Sequence, residues 1–268
     1  MTRNGPLALA FHTAFVIFTL APILVVCVVA FTPEAYLSFP TERWSLRWFR
    51  AIADYPEFIR AFWQSVGLGA ISSAIALAFC VPVALAVARH RFVGREFMMA
   101  LFQSPLMIPH VVLGIAFLRF FTEIGLSGTF IGLVISHVII VFPFALRLTL
   151  ASATGMNPAL EQAAMSLGAS DATVLRRITL PLIIPGITSG WALAFINSFD
   201  EVTMSVFIAT PGTETLPVRM FLYIQDNIDP LVTSVSAAVI GVTVIAMVAL
   251  DRIFGLERLL MGKGRDDT

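Results

Sequence analysis

Six long apolar segments dominate this sequence and leave few folds open to it. They cover roughly residues 7–32, 62–88, 98–121, 129–151, 182–208 and 231–254. A helix needs roughly 20 mainly apolar residues to cross a bilayer, and each segment reaches that length. The apolar share of 58% also exceeds that of soluble domains, about 45–50%. The sequence therefore predicts an all-α polytopic membrane protein with six transmembrane helices.

The lysines and arginines predict how these helices are oriented, because cytoplasmic loops carry an excess of positive charge. One side of the predicted membrane carries Arg3, Arg89, Arg91, Arg95, Arg147, Arg176, Arg177, Arg252, Arg258, Lys263 and Arg265. The other side carries Arg43, Arg47, Arg50, Arg60 and Arg219, and Arg119 lies near the end of the third segment. Both termini are therefore predicted to be cytoplasmic.

A long polar stretch, residues 157–181, separates the fourth apolar segment from the fifth. Asn157 can cap a helix at its start. Gly168 can end that helix, because glycine readily adopts a positive φ. Ser170 or Asp171 can then cap a second short helix. The pattern predicts a small helix-turn-helix that protrudes from the membrane on the cytoplasmic side.

This stretch resembles the cytoplasmic signature loop of the permease subunits of ABC importers. The family pattern is Glu-Ala-Ala, three residues, Gly, nine residues, and Ile-x-Leu-Pro. The matching residues here are Gln162, Ala163, Ala164, Gly168, Ile178, Leu180 and Pro181. Gln162 stands where the pattern has Glu, and the adjacent Glu161 is a second candidate for the same contact. The resemblance implies a coupling helix that docks on an ATPase subunit, and an ordinary amphipathic loop is the alternative.

The resemblance covers roughly the whole chain and implies the type I importer permease fold. It implies a second, related permease, two ATPase subunits and an external or periplasmic substrate-binding protein as partners. The ATPase partner would bind ATP and Mg²⁺, so this chain is expected to be no enzyme and to hold no cofactor or metal. In agreement, the pair Gly262-Lys263 lacks the frame of a phosphate-binding loop. The expected location is the bacterial inner membrane, in contact with lipid and without nucleic acid.

Three regions follow from this reading. Residues 1–61 are expected to hold the first transmembrane helix and an external segment that lies at the membrane surface. Residues 62–254 form the permease core of five transmembrane helices, including the coupling loop at 152–181. Residues 255–268 form a cytoplasmic tail.

The fifth apolar segment contains two adjacent carboxylates, Asp200 and Glu201, and also Trp191 and Asn197, and these residues are the candidates for the substrate path. Ionisable residues inside a membrane are costly and are usually functional. On a helix the two carboxylates lie about 100° apart, so both need not face one ligand. Pairing with the partner permease is the alternative. The carboxylates resemble the Asp-Asp or Asp-Glu step of spermidine/putrescine permeases, which implies a polyamine substrate.

The third apolar segment contains Pro105 and Pro109, which interrupt helical hydrogen bonding within the membrane. Such breaks are tolerated where protein or water supplies partners, so this helix is predicted to line the transport path. His110 is the polar group exposed at the break. In the polyamine-type permeases an acidic residue often stands there, and His110 therefore keeps an amino acid or another small organic solute open as the substrate. A hydrogen-bonded packing histidine is the alternative for His110 and the favoured interpretation of His137.

Two other classes of function fit the sequence less well. An intramembrane enzyme using His110, His137 and Asp200 would need a catalytic spacing, and none is recognisable. A stand-alone secondary carrier predicts inverted repeats, and none is apparent. The predicted function is half of the translocation pathway of an ATP-driven importer for a small amine, with coupling to a separate ATPase.

Overall fold

The computed structural model describes residues 5–41 and 43–254, and every regular element in these ranges is helical. The α-helices, in chain order, are α1 (Pro6–Val29), α2 (Arg47–Ala51), α3 (Pro56–Arg89), α4 (Arg95–Gln103), α5 (His110–Glu123), α6 (Phe130–Gly155), α7 (Ala159–Ser166), α8 (Asp171–Val174), α9 (Leu180–Phe199), α10 (Ser205–Ile208), α11 (Leu216–Asp226) and α12 (Leu231–Phe254). Tighter turns lie at Ile52–Asp54 and Ser104–Leu106, and a wider π-helical turn lies at Leu175–Thr179. The predicted all-α class is confirmed.

Among the described residues, five helical stretches are long and apolar enough to cross a membrane. They are Leu7–Val29, Pro56–Arg89, Phe130–Gly155, Asp171–Phe199 and Leu231–Ala249. A sixth span results if the pair Arg95–Leu106 and His110–Glu123 is counted as one, although this pair is bent by 97° at its break. The predicted polytopic architecture is therefore present, with five continuous spans and a third apolar segment that is bent at its break.

The break lies at the two prolines of the third apolar segment. Pro105 occupies the tight turn that follows α4, and Pro109 precedes α5 with an extended ψ of 132°. Proline lacks a backbone N–H and disfavours helical geometry in the residue before it. The predicted interruption is thus confirmed, but residues 98–121 do not form one continuous helix.

The fifth span ends earlier than the sequence predicts. Helix α9 stops at Phe199, Asp200 lies at its C-cap, and Glu201 lies outside the helix. The prediction that both carboxylates lie 100° apart on one helix is wrong. The Glu201 carboxylate accepts a hydrogen bond from the backbone N–H of Met204 at 2.6 Å. Such local bonds from a side chain to the backbone compete with helix continuation.

The described chain divides into two compact units. One consists of the described residues up to Arg60 together with Met220–Leu250, and the other consists of Ala61–Arg219 together with Asp251–Phe254. The predicted region boundaries after residues 61 and 254 stay predictions. The predicted tail, residues 255–268, lies outside the described residues.

The first unit is held together by buried hydrogen bonds and aromatic contacts. The Ser234 hydroxyl donates to the Ala30 carbonyl at 3.0 Å, which joins α12 to the end of α1. Tyr223 of α11 packs edge-on against Tyr55 and Phe58. These contacts combine residues from both ends of the sequence into one packed unit.

In the second unit, α6 packs closely along α9. A Cβ atom added at Gly190 would lie 3.0 Å from the Ala145 carbonyl oxygen, and one added at Gly186 would collide with Ser152. Small residues allow such close approach of helices in lipid. This packing holds α9 in place, and the candidate site lies at the C-terminal end of that helix.

Candidate functional site

The broken third span and the end of α9 meet through His110 and Glu201. His110 Nδ1 lies 2.6 Å from Glu201 Oε2. The other carboxylate oxygen accepts the N–H of Met204, so both oxygens have partners. The Glu201 side chain is only 7% exposed, whereas that of His110 is 35% exposed. The imidazole is therefore the more accessible member of the pair.

Helix α5 comes close to this carboxylate because Gly114 has no side chain. A Cβ atom added at Gly114 would lie 3.1 Å from the carbonyl oxygen of Met204 and 2.7 Å from the ring of Phe207. Gly114 lies about one turn after His110 on the same helix. This role could not be predicted from the sequence, because a glycine in an apolar helix carries no local signal for what it packs against.

Asp200 differs from its neighbour. Its side chain is exposed and has no hydrogen-bond or ion-pair partner among the residues that the structure describes. Asn197 donates to the carbonyl of Leu193 at 2.8 Å, and Trp191 stacks on Phe195 with ring centroids 5.3 Å apart. Of the two adjacent carboxylates, Asp200 is thus the accessible one.

His137 is fully buried and uses both ring nitrogens. Nδ1 lies 2.7 Å from the Ser198 hydroxyl, and Nε2 lies 2.9 Å from the Ser205 hydroxyl. The interpretation of His137 as a hydrogen-bonded packing residue is confirmed. Because Ser198 and Ser205 flank the segment that holds Asp200 and Glu201, His137 fixes both ends of that segment. No pattern in the sequence pointed to these two serines.

The described residues offer no cluster for a metal ion and no contact that joins the three residues of the enzyme alternative. No group of three or more His, Cys, Asp or Glu in the described ranges could hold a metal ion. His110, His137 and Asp200 do not converge: the first contacts Glu201, the second contacts two serines, and the third is exposed. The geometry gives no support to the intramembrane enzyme alternative.

The polar stretch before α9 forms the first predicted helix and the turn after it, but the second predicted helix is not separate: it runs through the π-helical turn into α9. Asn157 Oδ1 accepts the N–H of Ala159 at 3.0 Å at the start of α7. Gly168, directly after α7, has a φ of +88°, which is the left-handed conformation expected of a glycine that ends a helix. Helix α8 follows with Ser170 at its N-cap position. The signals at Asn157 and Gly168 were sufficient to predict α7 and the turn that follows it.

The residues that match the signature pattern fall into two groups. Gln162, Ala163, Gly168 and Pro181 are exposed, and Ala164, Ile178 and Leu180 are half-buried. Leu160, Met165 and Leu167 are large apolar side chains that are also exposed on this loop. Helix α7 and the turn after it thus present an accessible, partly apolar surface outside the apolar spans.

Glu161 does not share the exposure of Gln162. Its carboxylate accepts hydrogen bonds from Arg89 Nε at 2.8 Å and from the Thr179 hydroxyl at 2.5 Å. Burial raises the pKa of Glu161, but the hydrogen bonds from Arg89 and Thr179 and the charge of Arg89 outweigh it and hold the pKa below its ordinary value. The Glu161 carboxylate is therefore ionised and already has partners within the chain.

Known proteins resemble this chain over most of its length. The family described as binding-protein-dependent transport system inner membrane component matches residues 78–256. The spermidine/putrescine transport system permease protein PotC of Escherichia coli (strain K12) is 26% identical over 239 residues, which cover 89% of this chain and 90% of the relative. A probable molybdenum ABC transporter permease protein of Haloferax volcanii is 32% identical over 175 residues, 62% of this chain and 65% of that protein.

A solved structure resembles the chain as well. It is the crystal structure of a bacterial ABC transporter involved in the import of the acidic polysaccharide alginate. One of its chains superimposes with a TM-score of 0.70 at 16% identity, covering 92% of this chain and 95% of that chain. At this identity the likeness concerns the fold.

Proposed function

Because the chain belongs to the family of binding-protein-dependent transport system inner membrane components, we propose that it forms half of the import path for a polyamine such as putrescine or spermidine. The chain is a membrane-spanning permease subunit of an ABC importer with the predicted importer permease fold, and it is not an enzyme. The choice of a polyamine is the proposal.

The observation that carries this choice is the exposed, unpartnered carboxylate of Asp200. Glu201 is buried and engaged by His110 and the Met204 N–H, so Asp200 is the carboxylate that can meet an ammonium group. PotC, a relative whose match covers 89% of this chain, is named for spermidine and putrescine transport.

A second candidate is an amino acid or another small organic solute. It is favoured by His110, whose imidazole is 35% exposed and can donate a hydrogen bond to a carboxylate group. A solute that carries both an ammonium and a carboxylate group would then use Asp200 and His110 together.

The exposed surface of the signature loop supports the proposed partners. Exposed apolar side chains outside a membrane span mark sites of protein contact when they cluster, and Leu160, Met165 and Leu167 lie beside the matched residues Gln162 and Ala163. In this proposal α7 docks on one subunit of an ATPase dimer, which binds ATP and Mg²⁺. A second permease and an external binding protein complete the importer in the bacterial inner membrane, and both termini face the cytoplasm.

The decisive experiment uses the assembled importer. The chain is co-purified with its second permease, its ATPase and its binding protein, and placed in liposomes with internal ATP. ATP-dependent uptake of labelled putrescine or spermidine is expected, together with polyamine binding by the binding protein. Uptake of an amino acid in place of polyamines would support the second candidate. Uptake by this chain alone would favour a secondary carrier.

A further inference from the structure

Four elements of the second unit meet at one arginine, Arg89, the last residue of α3. Its Nε and Nη2 atoms donate to the two carboxylate oxygens of Glu161 in α7, at 2.8 and 3.1 Å. Its Nη1 atom donates to the Ala153 carbonyl near the end of α6, at 2.9 Å. Glu161 also accepts the hydroxyl of Thr179, the last residue of the π-helical turn before α9. We call Arg89, Glu161, Ala153 and Thr179 the Arg89 cluster.

The geometry of the Arg89 cluster differs from that of an ordinary surface ion pair. The two charged side chains are only 20% and 14% exposed, and Thr179 is buried. Two parallel N–H···O bonds from a guanidinium to a carboxylate add geometric specificity to the charge attraction. Exposed ion pairs contribute little because water and salt screen them, whereas this pair is largely shielded from both.

The cluster also lies where helix ends need partners. Ala153 is in the last turn of α6, where carbonyl groups have no partner within the helix. A cation close to a helix C-terminus interacts favourably with those carbonyls and with the helix dipole. Arg89 therefore links the ends of α3 and α6 to each other and to α7.

Glu161 and Gln162 consequently have different environments, although they are neighbours on one short helix. The Glu161 side chain is part of the Arg89 cluster, whereas Gln162 is exposed. Helix α7 has eight residues, which is too short to be stable without tertiary contacts. A force applied at its exposed face can reach the membrane helices through the contacts of its other face.

We infer that the Arg89 cluster is the mechanical link between the coupling loop and the membrane helices, with Arg89 and Glu161 as positioning residues for transport. Displacement of α7 moves the ends of α3 and α6 through Arg89, and the start of α9 through Thr179. This inference rests on the proposed docking of α7 on the ATPase. It assigns to Glu161 a task separate from that docking.

The test measures coupling apart from assembly. Arg89→Gln and Glu161→Gln are made in the full importer, with Arg91→Gln as the matched control, because Arg91 is exposed and lies two residues beyond Arg89. Three quantities are measured: co-purification of the ATPase, ATP hydrolysis, and solute imported per ATP hydrolysed. Both cluster variants should retain the ATPase and hydrolyse ATP, and import per ATP should fall about tenfold, within the usual range of coupling between sites. Arg91→Gln should match the wild type.

Two further variants sharpen the result. Arg89→Lys keeps the charge but loses the forked geometry, so its coupling should fall between wild type and Arg89→Gln. The exchanged pair Arg89→Glu with Glu161→Arg should recover part of the coupling. Wild-type import per ATP in Arg89→Gln and Glu161→Gln would overturn the inference, and so would loss of the ATPase from both variants. Failure of the wild-type chain to co-purify with an ATPase would instead count against the proposed docking.

Discussion

His110 Nδ1 and Glu201 Oε2 lie 2.6 Å apart, so the carboxylate at the end of α9 is shielded by a side chain from the broken third span. A carboxylate that is 7% exposed and already has a partner is poorly placed to attract a solute. Its neighbour Asp200 is exposed instead. The two adjacent carboxylates therefore divide into one that organises the loop and one that is available to a ligand.

This division predicts that Asp200→Asn lowers the affinity for a cationic solute while the complex still assembles. Asparagine keeps the shape and removes the charge. An accessible ion pair contributes up to about 1 kcal/mol, so the KM for polyamine uptake should rise about fivefold. The measurement is uptake in liposomes, with co-purification of the ATPase as the control. An unchanged KM would remove the main residue-level support for a polyamine substrate.

Glu201→Ala should act mainly on stability. It would leave the backbone N–H of Met204 and the His110 ring without their partner, and a buried polar group left unsatisfied costs about 1–3 kcal/mol. The melting temperature of the purified complex should fall, and Asp200→Ala serves as the matched control because that side chain is exposed. Equal melting temperatures for the two variants would contradict the structural role of Glu201.

The sequence predicted those parts of the structure whose signals are local. The two prolines of the third apolar segment predicted its break, and the residues up to Gly168 predicted α7 and the turn that follows it. In both cases the backbone preference of proline or glycine decides the conformation without help from distant residues.

The parts that could not be predicted depend on contacts between distant residues. His110 and Glu201 are 91 residues apart, and Arg89 and Glu161 are 72 residues apart. Neither pair has a signature within one segment. The apolar sequence around Glu201 therefore indicated a continuing helix. In the structure the helix ends at Phe199, and the Glu201 carboxylate makes tertiary contacts beyond that end.

Gly168→Val should uncouple ATP hydrolysis from transport. The φ of +88° at Gly168 is strongly unfavourable for a β-branched residue. A Cβ atom there would meet nothing within 4 Å, so the effect would come from the backbone and not from a clash. Gly155→Val is the matched control, because Gly155 also has open space and lies within a helix. Wild-type stimulation of ATP hydrolysis by the solute-loaded binding protein in the Gly168 variant would contradict this prediction.

Two neighbouring residues of α7 are candidates for contact with the ATPase. The sequence leaves both Glu161 and Gln162 as candidates, since either could take the place of the glutamate in the signature pattern. In the structure the Glu161 carboxylate is occupied by Arg89 and Thr179, whereas Gln162 is exposed beside Ala163.

Gln162→Ala should therefore weaken retention of the ATPase more than Glu161→Gln, which removes the charge from the inner side of α7. A neutral hydrogen bond that is lost at an interface costs about 0.5–1.5 kcal/mol, which corresponds to roughly a two- to twelvefold loss of affinity. The affinity is measured by titrating purified ATPase onto the permease pair in detergent. If Glu161→Gln weakens binding more than Gln162→Ala does, Glu161 leaves Arg89 to contact the ATPase in the assembled importer. The inference that Glu161 has a role separate from docking would then be wrong.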